Sequence, residues 1–219
     1  MKKLIIFGNG DIAELAYIYF TNDSEYEVVG FTVDSEYLQK DSFLNLPNLP
    51  YDKLLEVFPP DDFVVFVAMS YAKVNEVRKH KYNQLKELGY NFASYISSKA
   101  SNYSESIGEN CFILEDNTIQ PFVKIGNNVT LWSGNHIGHH TVIADHCFIT
   151  SQVVISGGCK IGQLTFIGVN STLRDHINVG ESNVIGAGCL ILADTDDRNV
   201  FMEKGTELSK VPSNRLRGI

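Results

Sequence analysis

The chain reads as a small open α/β domain followed by a parallel β-helix, and three features of its 219 residues predict this. An aliphatic residue recurs every six positions from Ile107 to Ile191. Ahead of that array, strand-like and helix-like segments alternate. A glycine-rich turn, Gly8-Asn9-Gly10, separates the first strand from the first helix.

The N-terminal segments follow in order. Lys3–Phe7 has the apolar run of a buried strand, Asp11–Phe20 the pattern of a helix, and Tyr26–Val33 that of a second strand. Phe63–Ala68 is a third strand, Ala72–Leu88 a helix closed by Gly89, and Asn91–Ile96 a short last strand. Alternating strands and helices imply a parallel sheet whose ligand end lies at the carboxyl ends of the strands. The first turn, Gly8-Asn9-Gly10-Asp11-Ile12-Ala13, is a G-x-G-x-x-A match in that context, and Asp34 closes the second strand. Such a turn brings a phosphate to a helix N-terminus, with the acidic residue near a base or ribose hydroxyl. Fewer than 100 residues and about four strands make only half of a dinucleotide fold. This Rossmann-like half-domain therefore suits a nucleotide or nucleotide-sugar better than NAD or FAD, and a purely structural tight turn is the plain alternative. The substrate-side candidates are Gly8, Asn9, Gly10, Asp11, Asp34 and Ser70. Tyr71, Asn75 and Arg78 could add contacts, although helix capping and a solvated face explain them equally well. The polar, aperiodic stretch Ser97–Ser104 is expected to join the domains, which divide as 1–100 and 101–219.

Stepping by six from Ile107 meets Ile, Leu or Val fifteen times in succession. With such residues at about one position in four, chance gives a run like this with a probability on the order of 10⁻⁹. Glycine often follows the aliphatic residue, as at Gly108, Gly126, Gly138, Gly162, Gly168, Gly180 and Gly186, where it is expected to supply positive φ. Four residues after the aliphatic position the side chains are mostly small, among them Cys111, Val123, Thr141, Cys147, Cys159, Thr165 and Cys189. One large and one small inward side chain per hexad describe a β-helix whose coils are stable only when stacked. All four cysteines share the small phase, with no Cys-x-x-Cys pair, so buried structural thiols are expected rather than zinc ligands or disulfides.

Five of six histidines fall between positions 136 and 176: His136, His139, His140, His146 and His176. His140 and His146 belong to different faces, and His140 and His176 lie two coils apart, about 10 Å, too far to share a metal. A general base is the better reading, because an imidazole that titrates near neutrality can take a proton from an attacking amine or hydroxyl.

Fifteen uninterrupted hexads resemble the hexapeptide-repeat acyltransferases. The resemblance implies a left-handed parallel β-helix of about five coils, a handedness that crossover rules alone would not give. An α/β domain ahead of the array is similar to the bacterial nucleotide-sugar acetyltransferases, which include sialic acid O-acetyltransferase-like proteins and the N-acetyltransferase of the bacillosamine pathway. In that family the catalytic histidine stands two residues after a hexad aliphatic. His139, after Ile137, matches, and His140 occupies the place of its carboxylate partner. The resemblance implies acetyl-CoA bound between subunits of a homotrimer, with Gly157, Gly158, Gly168, Asn170, Gly186 and Gly188 as contacts. Val211-Pro212-Ser213-Asn214-Arg215 resembles the family's closing Val-Pro-Ala-Lys segment and places Arg215 near a CoA phosphate. The segment Asp194–Ser209 is longer and more charged than the family pattern.

The implied activity is transfer of acetyl from acetyl-CoA to the amine of a nucleotide-linked deoxyamino sugar in surface-glycan biosynthesis, with His139 as base. O-acetylation of a sialic-acid-like sugar and a non-catalytic β-helix scaffold are the alternatives. A net charge of −8 argues against a nucleic-acid binder. No run approaches the about 18 apolar residues of a membrane span. The opening Met1–Phe7 breaks too early for a signal core, so a cytoplasmic protein is expected.

Overall fold

The computed structural model describes residues 2–215. Its N-terminal unit contains β1 (Lys2–Phe7), α1 (Asp11–Asn22), β2 (Tyr26–Val33), β3 (Ser42–Phe43), β4 (Leu46–Pro50), α2 (Leu54–Val57), β5 (Phe63–Val67), α3 (Glu76–Glu87) and β6 (Asn91–Phe92). The sheet order is β3-β4-β2-β1-β5-β6, parallel except for β3, which pairs antiparallel with β4. The β3–β4 hairpin has no counterpart in the sequence reading. Pro47 and Pro50 obscure β4, and proline is tolerated there because the strand lies near the sheet edge. Helix α3 starts four residues later than expected, because Lys73, Val74 and Asn75 all take positive φ.

The second unit is a three-faced parallel β-helix of two-residue strands. Its first face has seven strands, from Tyr95–Ile96 to Val200–Phe201. The second has six, from Ser101–Asn102 to Leu190–Ile191, and the third has five, from Ser106–Ile107 to Asn178–Val179. The aliphatic residue of each hexad points inward. Together with the small residues, including Cys111, Cys147 and Cys159 at 0% exposure, it forms one continuous core. All four cysteines are free and buried. Burial pushes the Cys111 and Cys147 thiols up to about 12, so neither is a thiolate nucleophile at neutral pH.

Two expectations about the first coil need correction. The stretch Ser97–Ser104 is no linker: it winds the first coil, whose Tyr95–Ile96 strand pairs with Phe112–Ile113 and whose Ser101–Asn102 pairs with Thr118–Ile119. The coil is short by one residue between its second and third strands, which throws it out of the six-residue phase. The expected strand Asn91–Ile96 thus divides, half completing the α/β sheet and half starting the solenoid. At the other end, Thr195 bridges to Val179 and Val200–Phe201 pairs with Val184–Ile185, so the charged segment continues the stack from Asp194 to Phe201.

The glycines after the aliphatic positions do not supply positive φ either. That conformation falls two residues later, at Asn110, Asp116, Phe122, Asn128, His140, His146, Asn170 and their equivalents. The glycines are required by close stacking instead. A Cβ on Gly138 would lie 2.5 Å from Gly157 N, and one on Gly168 would lie 2.6 Å from Ala187 N.

The α/β unit docks on the first face. Leu4, Phe20, Phe31 and Phe66 share a core with Tyr95, Phe112 and Leu114 of the solenoid, and Tyr71 packs on Phe148 and Phe166. Arg78, 1% exposed, crosses from α3 to the corner between third and first faces. There its guanidinium donates to the Asn128 and His146 carbonyls and, at 3.1 Å, to Asn75 Oδ1. Asn75 Nδ2 donates in turn to Leu164 O at 2.8 Å. Asn75 and Arg78 are thus neither solvated nor near a ligand cleft. They fix the orientation of one unit on the other.

Candidate active site

Two regions carry the candidate residues, and the first lies where β1, β2 and β5 end. Gly8 has φ 134°, and a Cβ there would lie 2.7 Å from Ala68 O, so the β1–α1 turn needs glycine for its conformation and its close approach. Gly10 precedes α1 and leaves open space around its α-carbon. Asn9 Nδ2 donates to Tyr37 O at 3.1 Å, tying the short turn Ser35–Tyr37 to the glycine loop. The result is a cleft of about 520 Å³ lined by Gly8, Asn9, Gly10, Asp11, Asp34 and Ser70, with Tyr37 and Met69 as further walls. All six substrate-side candidates therefore meet in one place. Among the described residues no lysine or arginine lines this cleft, so an anion in it would rely on the amides at the start of α1.

One contributor escaped the sequence reading. Lys81 of α3 is 6% exposed, and its Nζ donates to Asp34 Oδ1 at 2.6 Å. The ammonium sits 4.7 Å from the Phe7 ring centroid and 4.2 Å from that of Tyr51. A buried ammonium is tolerable only when paired, and here a carboxylate and two π-faces replace its water. The pairing fixes Asp34 at the cleft wall. Nothing in the pattern of α3 sets Lys81 apart from the other lysines of that helix.

The second region is the edge between the second and third faces, where turns 121–122, 139–140, 157–158 and 175–176 stack. His139 and His140 are exposed, with their Nδ1 atoms 3.1 Å apart. The His139 main-chain N–H donates to Gln120 Oε1 at 2.9 Å, and its carbonyl accepts from Gly158 N at 2.7 Å. A Cβ on Gly157 would lie 2.7 Å from His139 Cε1, so the imidazole rests directly on that glycine. The His176 ring lies in the same way over Gly158. Gly157 and Gly158 thus make room for two rings arriving from opposite coils, a role that their place in the repeat did not disclose.

The remaining candidates separate. Gly168, Asn170, Gly186 and Gly188 belong to the edge between first and second faces, one edge away from His139. Arg215 lies in the exposed tail beyond the last coil, where its N–H donates to Pro212 O. His146 is buried at the corner under α3, and Asn128 Nδ2 contacts its Nδ1 at 3.0 Å. Asn128 Oδ1 already accepts from Arg78 and Asn110, so its amide must donate to His146, whose Nδ1 is therefore unprotonated. Burial pushes the His146 pKa down to about 4, in keeping with that neutral ring.

A sequence profile of the bacterial transferase hexapeptide (six repeats) matches residues 106–139 and 123–157. The architecture of both units recurs in solved structures. Perosamine N-acetyltransferase from Caulobacter crescentus, solved as a histidine mutant in complex with CoA and GDP-perosamine, superposes with a TM-score of 0.78 at 18% identity, covering 90% of this chain and 92% of that one. The acetyltransferase domain of PglB from Neisseria gonorrhoeae FA1090, in complex with acetyl coenzyme A, gives 0.75 at 19% identity, covering 89% and 93%. WeeI from Acinetobacter baumannii AYE gives 0.75 at 17%, over 89% and 93%. These similarities establish a shared fold over nearly the whole chain.

Proposed function

We propose that this chain is an acetyl-CoA-dependent N-acetyltransferase that acylates the amino group of a nucleotide-linked deoxyamino sugar, with His139 as general base. The observation that carries this reading is the pairing of a nucleotide-type cleft with an exposed imidazole on a hexapeptide edge. A structure of the same fold holds both CoA and GDP-perosamine. In the reaction the sugar amine attacks the thioester carbonyl and gives a proton to His139 Nε2. A main-chain amide of the glycine-lined turns receives the oxyanion, and the CoA thiolate leaves with that proton returned to it.

The working unit is a homotrimer with its sites between subunits. The α/β unit covers the first face, whereas the His139 edge joins the other two, so it lies across the solenoid from the docked unit. A nucleotide-sugar in the cleft of one chain would meet the base of another. The second and third faces also expose Val142, Val154 and Leu190, apolar groups suited to contact between copies. CoA would lie in the groove so formed, touching Gly157 and Gly158 from one edge and Gly168, Asn170, Gly186 and Gly188 from another, with Arg215 at a phosphate. The amine-bearing sugar, the surface-glycan setting and a cytoplasmic location belong to the same proposal. Among the described residues no helix is long and apolar enough to cross a membrane.

The test is release of CoA thiol from acetyl-CoA with UDP-, dTDP- and GDP-linked amino sugars, with product mass and nitrogen connectivity determined. Turnover on an amino sugar with acetyl on nitrogen is the expected result. Turnover only on sialic-acid-type hydroxyls, or none on either class, would overturn it.

A further inference from the structure

The His139–His140 contact defines which proton each ring holds. A hydrogen bond between two Nδ1 atoms 3.1 Å apart needs one N–H and one lone pair. If His140 were the donor, His139 would carry its own proton on Nε2 and would have no lone pair for substrate. For His139 to act through Nε2 it must hold its proton on Nδ1 and donate it to His140, which must then be neutral with its proton on Nε2.

The surroundings support that arrangement, and among the described residues no carboxylate is hydrogen-bonded or ion-paired to either ring. The two rings are nearly perpendicular, at 87°. Phe122, on the coil below, stacks against His140 at 4.7 Å between centroids and an angle of 36°. Phe122 is a bulky residue held at φ 65° and 56% exposed, so the chain accepts local strain to place that ring under His140. Gln120 holds the His139 main chain, and Gly157 lies against the His139 ring. Pro121 and Phe122 from below and Gly157 and Gly158 from above carry no charge. On the next coil the His176 ring lies against Gly158, and its Nε2 stands 3.9 Å from Asp175 Oδ2.

We propose that His140 is a positioning residue that acts as a neutral acceptor for the His139 Nδ1–H, so that the base of this enzyme is a two-histidine pair. This role presupposes His139 as the base of the reaction above. When substrate gives its proton to His139 Nε2, the imidazolium meets a neutral partner rather than an anion. A carboxylate within about 4–6 Å raises the pKa of a neighbouring cation, commonly by about 1–3 units. An imidazole in that place adds no such charge beside the base.

The experiment compares the trimer with His140→Asp, His140→Asn and His140→Ala variants, recording kcat and KM against pH together with ¹⁵N NMR of the His139 ring. In the parent, His139 is expected as the Nδ1–H tautomer. His140→Asp should keep that tautomer and move the acid limb up by about one pH unit or more. His140→Ala should lose the tautomer preference and lower kcat by about tenfold or more with KM little changed, and His140→Asn, whose amide oxygen accepts, should recover part of that loss. An unmoved acid limb in His140→Asp, or an unchanged tautomer in His140→Ala, would overturn the pair. The outcomes separate from those of the parent reading: if the parent makes no N-acetylated sugar, the assigned function fails while the NMR still tests the hydrogen bond. If it does and the variants match it, only the pair fails.

Discussion

His140 and His146 stand one hexad apart, both at the left-handed turn position with φ of 59° and 66°, yet they meet different surroundings. His140 lies on an open edge beside His139, with an aromatic ring beneath it. His146 lies under α3, held neutral by Asn128 and screened from water by the docked α/β unit. Their backbones are equivalent, so the repeat fixed the position but not the chemistry. What decides the chemistry is which edge of the prism another element covers.

That contrast can be broken most forcefully at the open edge. His139→Ala should lower the rate of acetyl transfer by about 10²–10⁴-fold without loss of fold, as measured by thiol release. His146→Ala should instead lower stability and leave the rate per folded molecule close to the parent. A reversed result would place the chemistry at the wrong corner.

At the covered corner, Arg78→Met should destabilise the chain by about 3 kcal/mol in urea unfolding, because it orphans several buried carbonyls at about 1–3 kcal/mol each. Its expected signature is loosening of the two units. A midpoint equal to the parent's would show that these hydrogen bonds do not hold the units together.

Gly157→Ala places a methyl against the His139 imidazole, and displacing that ring should lower kcat by about tenfold to a hundredfold while the melting temperature stays near the parent's. The smallest effect concerns pH. The folded pKa of His146 is depressed to about 4 from an ordinary 6.5, so between these values the unfolded chain binds a proton that the folded chain does not. Its contribution to stability is complete above about pH 6.5 and is lost as pH falls toward 4. His146→Asn should flatten this part of the stability curve, and parallel curves for the two proteins would contradict the assignment.

The six-residue period made the solenoid legible, because the large inward position of each hexad must be apolar and a single slip would bury a polar turn. The cleft was legible for a similar reason. Gly8, Gly10, Asp34 and Ser70 stand at strand ends, and a parallel sheet gathers such ends on one side. What stayed hidden depends on contacts between distant segments. Lys81 pairs with Asp34 across 47 residues, and Arg78 reaches Asn128 across 50. The first coil was hidden by one missing residue, and Ser97–Ser104 is polar because its turns face solvent at the end of the stack. The glycines after the aliphatic positions were found for the wrong reason, since their spacing shows that glycine is needed but not whether φ or close packing needs it.

The central claim is that one site draws its base from the β-helix edge of one chain and its nucleotide cleft from another. The most direct test is to co-express His139→Ala with a cleft variant, Gly10→Glu, which sets a carboxylate where the nucleotide phosphates would enter, and to isolate the mixed trimers by two tags. Each variant alone should be inactive on the amino sugar. Cyclic symmetry gives every mixed trimer one intact site in three, so activity should return to about a third of the parent's. Mixed trimers as inactive as the two variants would contradict the shared site and place base and cleft within a single chain.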